Sequence, residues 1–547
     1  MTTTPKLPAN VAQILRPIEQ LLKSGKFEKA LAPAQDAAKQ FPRLPVAQMM
    51  LGAALAELGR VNEAIKQFEK VGRIDPKNAD VWRNIGILQQ GANNHAAAVI
   101  SLKKAIALNP SLAPAYSALG TAYDSLGEQD LALKAYSKVV ELMPKSPIAY
   151  NNLLIQLEIS NDLEGLATVL EAARKNIPGN AIVTLFDGVL AHRNGDLGTA
   201  RKYLESVRFD LPPYVNLIIE MNRCGHLGKI CDKLGDYETA FKYFVKTKSY
   251  LAQQSKERGF DAESYLKLTS VTLGYLEGKM YADWKPYDLP DTDGPIFLVG
   301  FPRSGTTLLD TILRSHPDIE VVEEGPAVRK LLDALVAINP DRNVGLANMT
   351  AKQAAELRKV YFKTLHAGVT GSGKVIIDKL PLNILHTVAI CRVFPNARFI
   401  MTLRHPADSV LSNFMQVYGQ NRAMNAMNKL STAAQYYDLV MRIWEQSLPL
   451  IEDRFVESRY EDLVDDMQKT LTPVLKLLGL EWDENMENYR QTALDRGRIR
   501  TPSYNQVVKP LYKDAQQRWK NYAKPMAGIL PLLEPWAERF GYGPLGD

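Results

Sequence analysis

A period of 34 residues runs through the first half of this 547-residue chain and restricts its fold more than any other feature. Gly52, Gly86 and Gly120 keep that interval, and so do Pro42, Pro76, Pro110, Pro144, Pro178 and Pro212. Ala30, Ala64, Ala98, Ala132 and Ala200 hold a third phase. In the unit LPVAQMMLGAALAELGRVNEAIKQFEKVGRIDPKN, apolar residues return at spacings of three and four, which is the pattern of a helix packed along one face. Gly59 ends the first helix with a tight turn, Ala64 and Phe68 set the second against it, and Pro76 stops the unit. Gly52 and Ala64 are small where two backbones must nearly touch. One such unit cannot bury its apolar face alone, so the units must stack.

The unit WRNIGILQQGANNHAAAVISLKKAIALNP carries Trp82, Gly86, Ala98 and Pro110, and YSALGTAYDSLGEQDLALKAYSKVVELMP carries Tyr116, Gly120, Tyr123, Ala132 and Pro144. These resemble the tetratricopeptide repeat. Repeats one to four (11–144) follow the pattern closely, and five and six (147–212) are degenerate. A further pair, CGHLGKICDKLGDYETAFKYFVK, has Gly228, Gly235 and Ala240, which makes seven repeats. The resemblance implies a superhelix whose groove takes a peptide or protein. Assembly, including a homodimer, is the other use of such an array.

The remaining bounds are broad. Three cysteines (Cys224, Cys231, Cys391) make no disulfide scaffold, and Cys224 and Cys231 with His226 are too few ligands for zinc. No metal is expected. The absence of an 18-residue apolar run excludes a membrane span, and MTTTPKLPANVAQIL lacks the core of a signal peptide, so a cytoplasmic, bacterial protein is expected. A formal charge of +6 suits small anions and gives little support to nucleic-acid binding.

The repeat fades after residue 248, and a helical, then Pro/Asp-rich connection (249–293) follows. From Gly294 the pattern changes to short apolar runs alternating with helical stretches: IFLVG, VIID (375–378), ARFIMTLR (397–404) and RFVESRY (454–460). The expected fold is therefore an all-α tetratricopeptide superhelix (1–248) followed by an α/β P-loop-like domain with a mainly parallel sheet (294–547). In such sheets ligands lie at the carboxyl ends of the strands.

The segment IFLVGFPRSGTTLLDTILR reads as strand, tight loop and helix. Gly305 lets the backbone curl, Thr306 and Thr307 open a helix whose N-terminus attracts an anion, and Arg303 adds a forked cation beside Ser304. It is not the nucleoside-triphosphatase loop, because no lysine follows Gly305. PRSGTT after an apolar strand resembles the 5′-phosphosulfate loop of sulfotransferases that use 3′-phosphoadenosine 5′-phosphosulfate, nearest the protein-tyrosine and Golgi-type branch. ARFIMTLRHPADSVLSNF supplies the family's Arg-x-Pro-x-Asp-x-x-x-Ser pattern, with Arg404 and Ser412 in its two phosphate-contacting places. The resemblance spans Gly294 to Tyr522.

That resemblance implies further roles. Glu324, 21 positions after Arg303, falls on the family's general base, and VEEG in place of a GEET-like context leaves Glu323 a competitor. His316 and His405 are weaker candidates, and His316 suits a cap. Lys379 in KVIIDKLPLN falls on the lysine that meets the transferring sulfuryl group. Tyr460 in RYEDLV reaches the nucleotide, and in RIRTPSYNQVVKPLY Ser503 falls on the serine at the bridging region while Lys509 meets phosphate. Arg498 and Arg500 add positive field. The expected activity is sulfuryl transfer to a hydroxyl, with 3′,5′-phosphoadenosine as product. The acceptor stays open between a protein tyrosine and a carbohydrate, lipid or small molecule. A non-catalytic scaffold and a P-loop kinase or phosphatase are the remaining alternatives.

Overall fold

Wherever the period puts a glycine, a large side chain 16 positions later fills the space its missing Cβ leaves. A Cβ on Gly52 would lie 2.7 Å from the Phe68 ring, one on Gly86 2.6 Å from Leu102, and one on Gly120 2.8 Å from Tyr136. Gly188 against Leu204 and Gly228 against Phe244 repeat the contact at 2.6 Å. In the computed structural model, which describes residues 8–545 except 210, 258, 283, 285–286, 288–293, 372, 420 and 496–515, these contacts join successive paired helices. The pairs are Ala9–Lys23 with Phe27–Gln40, Pro45–Glu57 with Val61–Ile74, Ala79–Gly91 with His95–Leu108, and Ala113–Leu126 with Gln129–Leu142. Pro147–Ile159 with Leu163–Asn176, and Ala181–Arg193 with Leu197–Glu205, continue the series. The fifth pair carries Leu154 and Leu166, both fully buried, where the second, third, fourth and sixth pairs have glycine and alanine. Its degeneracy is therefore a change in packing chemistry, not a loss of the helices.

The close approach gives a sign-reversing test. Gly86→Ala is expected to destabilise the chain by about 1–2 kcal/mol, because overpacking against buried Leu102 exceeds the gain in helix propensity. Gly91→Ala, in the same helix with nothing within 4 Å of a new Cβ, is expected to stabilise by roughly 0.5 kcal/mol. Thermal unfolding of the two variants checks this, and shifts of the same sign would refute the packing argument.

Contacts divide the chain into two compact units, Met1–Ile219 and Glu220–Asp547. The second begins inside the helix Pro213–Lys233, so most of that helix and its partner Tyr237–Glu257 belong with the α/β region. Cys231, Ala240 and Phe244 lie in the same apolar cluster as Phe414, Met415 and Trp519. Phe241 sits 5.6 Å from the Phe414 ring, and Tyr237 sits 5.4 Å from Tyr522. The next helix, Ala262–Glu277, packs along Leu430–Ile451, where Tyr265 and Tyr436 stack edge-on at 5.6 Å.

The α/β region is built on a five-stranded sheet of order β2-β3-β1-β4-β5. Its strands are β1 (Ile296–Gly300), β2 (Ile319–Glu323), β3 (Val375–Lys379), β4 (Arg398–Leu403) and β5 (Phe455–Arg459), and every pairing is parallel. Alternation sends Phe297, Val299, Phe399 and Met401 to one core, with Tyr361 and Trp444, and Ile296, Leu298 and Ile400 to the other, with Leu309 and Leu475. Both faces are covered, which is why these strands read as continuous apolar runs. The chain reverses its lateral direction around β1, leaving a crevice at that strand's carboxyl end.

Candidate active site

Parallel pairing brings the carboxyl ends of all five strands to one edge. Gly300 pairs with Thr402, Glu323 with Lys379, and Leu403 with Arg459. The turn after β1 is tight. A Cβ at Gly300 would meet Thr402 Oγ1 at 2.3 Å, Arg303 has φ 68, and Gly305 has φ 100 and caps the helix Thr306–Arg314. A left-handed arginine costs about 1–2 kcal/mol, so the surrounding contacts must hold it there. They are specific. Ser304 Oγ lies 2.6 Å from Thr402 Oγ1, which itself donates to the Val299 carbonyl at 3.2 Å. Ser304, Thr306 and Thr307 are buried, and the first-turn amides of their helix have no intrahelical acceptor.

The turn after β4 closes on the turn after β1. Arg404 Nη1 donates to the Arg303 carbonyl at 3.2 Å, and Arg303 Nε donates to Ser412 Oγ at 3.1 Å. Ser412 lies on the helix Pro406–Phe414, whose Asn413 Nδ2 donates to the Pro302 carbonyl at 2.6 Å. Tyr460 completes the wall: the Arg404 guanidinium sits 5.3 Å from its ring centre, and a Cβ on Gly305 would come within 2.9 Å of it. Arg303, Ser304, Gly305, Thr306, Thr307, Arg404, Ser412 and Tyr460 thus form one neighbourhood. Two guanidiniums, several hydroxyls and a helix N-terminus suit an anion with more than one phosphate-like group.

Next to it, β2 and β3 bring a carboxylate and a lysine together. Lys379 is fully buried, and its Nζ bonds Glu323 Oε1 at 2.9 Å. Glu324 follows at φ 50, its amide donating to the Lys379 carbonyl at 2.7 Å and its side chain exposed. The two glutamates therefore differ: Glu323 bonds the buried ammonium, and Glu324 is exposed. Asp378, one residue earlier, faces the other way and accepts from Tyr361 OH at 3.1 Å, and burial pushes its carboxyl up to about 7.

The His316 ring does not cap its helix: Nδ1 accepts from the Asp318 amide at 3.1 Å, and Nε2 lies 3.2 Å from the Glu481 carbonyl. His405 stacks on Trp519 at 5.5 Å, and burial, then the Arg404 charge, pushes its imidazole down to about 4. Asp408 accepts from the Trp519 amide at 2.8 Å, and burial raises its carboxyl to about 6. Ser503 and Lys509, with Arg498 and Arg500, fall outside the described residues. The three cysteines are buried and form no disulfide, and burial raises Cys224 and Cys391 to about 12. Among the described residues there is no metal-ligand cluster and no helix long and apolar enough to cross a membrane.

Sequence reasoning missed Thr402, Asn413, Tyr418 and Lys248. Tyr418 OH donates to Asn413 Oδ1 at 2.7 Å. Burial raises its phenol, with Arg303 pulling it down and Glu324 pushing it up. Lys248 Nζ donates to the Gln416 carbonyl at 2.6 Å, and burial pushes its ammonium down to about 7. Asn413 was legible as the neighbour of Ser412. Nothing local marked the other three.

Residues 295–484 match the model of the sulfotransferase family, and 21–84, 113–146 and 222–246 match tetratricopeptide-repeat models. An uncharacterized protein of Aquifex aeolicus (strain VF5) is 24% identical over 322 residues, which are 56% of this chain and 40% of that protein. Protein-tyrosine sulfotransferase 2 of Gallus gallus is 24% identical over 273 residues, 46% of this chain and 70% of that enzyme. Among solved structures, the crystal structure of MamA protein is 27% identical with a TM-score of 0.28, covering 30% of this chain and 92% of that one.

Proposed function

We propose that this chain, in which a tetratricopeptide-repeat region is fused to a sulfotransferase-family domain distantly related to protein-tyrosine sulfotransferases, transfers a sulfuryl group from 3′-phosphoadenosine 5′-phosphosulfate to an acceptor hydroxyl. The observation that carries the reading is the joining of two motifs a hundred residues apart: Arg404 holds the Arg303 carbonyl, and Arg303 holds Ser412. Each motif alone is a loop with an arginine. Joined, they make a cradle with cations for both anionic ends of one nucleotide.

The nucleotide supplies the activated sulfuryl group. Arg303 and the amides of Ser304 to Thr307 hold its 5′ side, and Arg404 and Ser412 hold the 3′-phosphate, with Tyr460 against the pair. Glu324 takes the proton of the acceptor hydroxyl as the new oxygen–sulfur bond forms. Lys379, oriented by Glu323, meets the transferring sulfuryl group as the old bond breaks and its electron pair leaves with the phosphate oxygen. Ser503 and Lys509 complete the contacts to the nucleotide in this reading. The sulfuryl group needs no divalent ion to offset its charge.

A protein tyrosine is the proposed acceptor, presented by the repeats. The test is an acceptor screen with the intact chain and radiolabelled donor, setting tyrosine peptides against saccharides and phenols. Label on the peptide hydroxyl is the expected result. Label on saccharides alone would move the acceptor class and leave the repeats to assembly. No transfer to any acceptor, with no binding of 3′,5′-phosphoadenosine, would overturn the reading.

A further inference from the structure

Lys248 is only 2% exposed, lies between the rings of Phe414 and Tyr418 at 6.0 and 5.6 Å, and has no carboxylate bonded to it among the described residues. Burying an ammonium that way is costly, and a methionine would fill the same space without the penalty. What the nitrogen reaches explains its presence. It donates to the carbonyls of Gln416 at 2.6 Å and Asn413 at 3.4 Å, which close the last turn of the helix Pro406–Phe414. A cation there satisfies the Gln416 carbonyl, adds to the backbone amides that already reach the Asn413 carbonyl, and meets the negative end of the helix dipole.

The consequence extends further than the cap. Two residues beyond Gln416, Tyr418 folds back so that its hydroxyl donates to Asn413 Oδ1 at 2.7 Å. That fixes which way the Asn413 amide faces, and its Nδ2 donates to Ser409 O at 2.8 Å and to Pro302 O at 2.6 Å. Pro302 immediately precedes Arg303, the left-handed residue of the phosphate loop. A path of hydrogen bonds, joined by the backbone between Gln416 and Tyr418, therefore runs from the helix Tyr237–Glu257, the last with repeat character, to the loop that grips the anion.

We infer that Lys248 is a positioning residue for the phosphate loop, acting through Gln416, Tyr418 and Asn413. It touches neither nucleotide nor acceptor. Its work is to hold the Met415–Tyr418 turn so that Asn413 can fix the Pro302 carbonyl and, through it, the direction of the Arg303 side chain. The last repeat-like pair is then a working part of the transfer domain, in keeping with its place in the second compact unit.

The inference rests on the nucleotide-binding reading, and the experiment separates the two. Calorimetric titration of the full chain with 3′,5′-phosphoadenosine is carried out on the wild type, Lys248→Met, Tyr418→Phe and the double variant. No binding by the wild type overturns the functional reading itself. If the wild type binds, Lys248→Met and Tyr418→Phe are each expected to weaken affinity roughly ten-fold, with the KM for acceptor unchanged. The double variant is expected to be no weaker than the poorer single, because both break one chain. Wild-type affinity in folded Lys248→Met, or losses that multiply in the double variant, would overturn the inference. Tyr418→Phe removes a single oxygen and keeps the test decisive if Lys248→Met fails to fold, since unchanged affinity there breaks the same route.

Discussion

Glu324→Gln is expected to bind 3′,5′-phosphoadenosine almost normally while losing roughly 10²–10⁴-fold in turnover, the range for removal of a general base. The two adjacent glutamates are held differently. Glu323 is bonded to Lys379, whose side chain is fully buried, so Glu323→Gln would leave an uncompensated charge inside the protein and cost about 3–5 kcal/mol of stability. Glu323, not Glu324, carries that bond. The Glu324 backbone is anchored to the Lys379 carbonyl, and its carboxylate stands exposed at the end of β2, where a hydroxyl can approach. The pair of variants should therefore separate, with Glu324→Gln stable and inactive and Glu323→Gln unstable. Single-turnover kinetics and thermal melts read the two effects independently. Retained turnover in Glu324→Gln would transfer the role of base to Glu323 or elsewhere.

Arg404→Ala is expected to weaken 3′,5′-phosphoadenosine by about 10²-fold or more, because a charge-assisted hydrogen bond contributes roughly 1.5–3 kcal/mol and a forked guanidinium makes two. The loss has a second source: Arg404 also holds the Arg303 carbonyl, and its removal loosens the loop whose φ 68 residue depends on such contacts. Arg303→Ala removes the other cation and the bond to Ser412 Oγ, and its expected loss is similar. Equilibrium titration at fixed salt is the appropriate measure, since screening alone alters the affinity of an exposed anion site. An affinity left intact in either variant would sink the assignment of both arginines to one nucleotide.

The division into compact units also changes how the repeats should be separated from the transfer domain. The repeat pattern persists in sequence to residue 248, but Phe244 lies in the α/β region's apolar cluster and Lys248 bonds the Gln416 carbonyl. A truncation at residue 248 would strip core residues from the second unit. A cut before Pro213 keeps the helix Pro213–Lys233 whole with the second unit.

Much of the candidate site was legible because its chemistry sits in contiguous residues. Gly305 before two threonines, Arg303 ahead of them, and Arg404 and Ser412 eight positions apart each describe a turn and the start of a helix, which local backbone geometry produces with little help from the rest of the chain. The repeat was legible for the same reason. A glycine and the large side chain facing it are separated by one helix and a turn, so the packing is written within each unit. Which glutamate bonds the buried lysine was not legible, since the Glu323–Lys379 bond spans 56 positions and exists only because β2 and β3 pair in that register. Tyr418 and Lys248 carried no signal either. The Lys248–Gln416 bond spans 168 positions, and a lysine in an amphipathic helix looks solvated until a second element buries it. Sequence alone determined the local shapes and the charges they carry, because those follow from neighbouring residues. The folded chain decided which of those charges are buried together, because burial depends on surfaces that meet only after distant segments have packed.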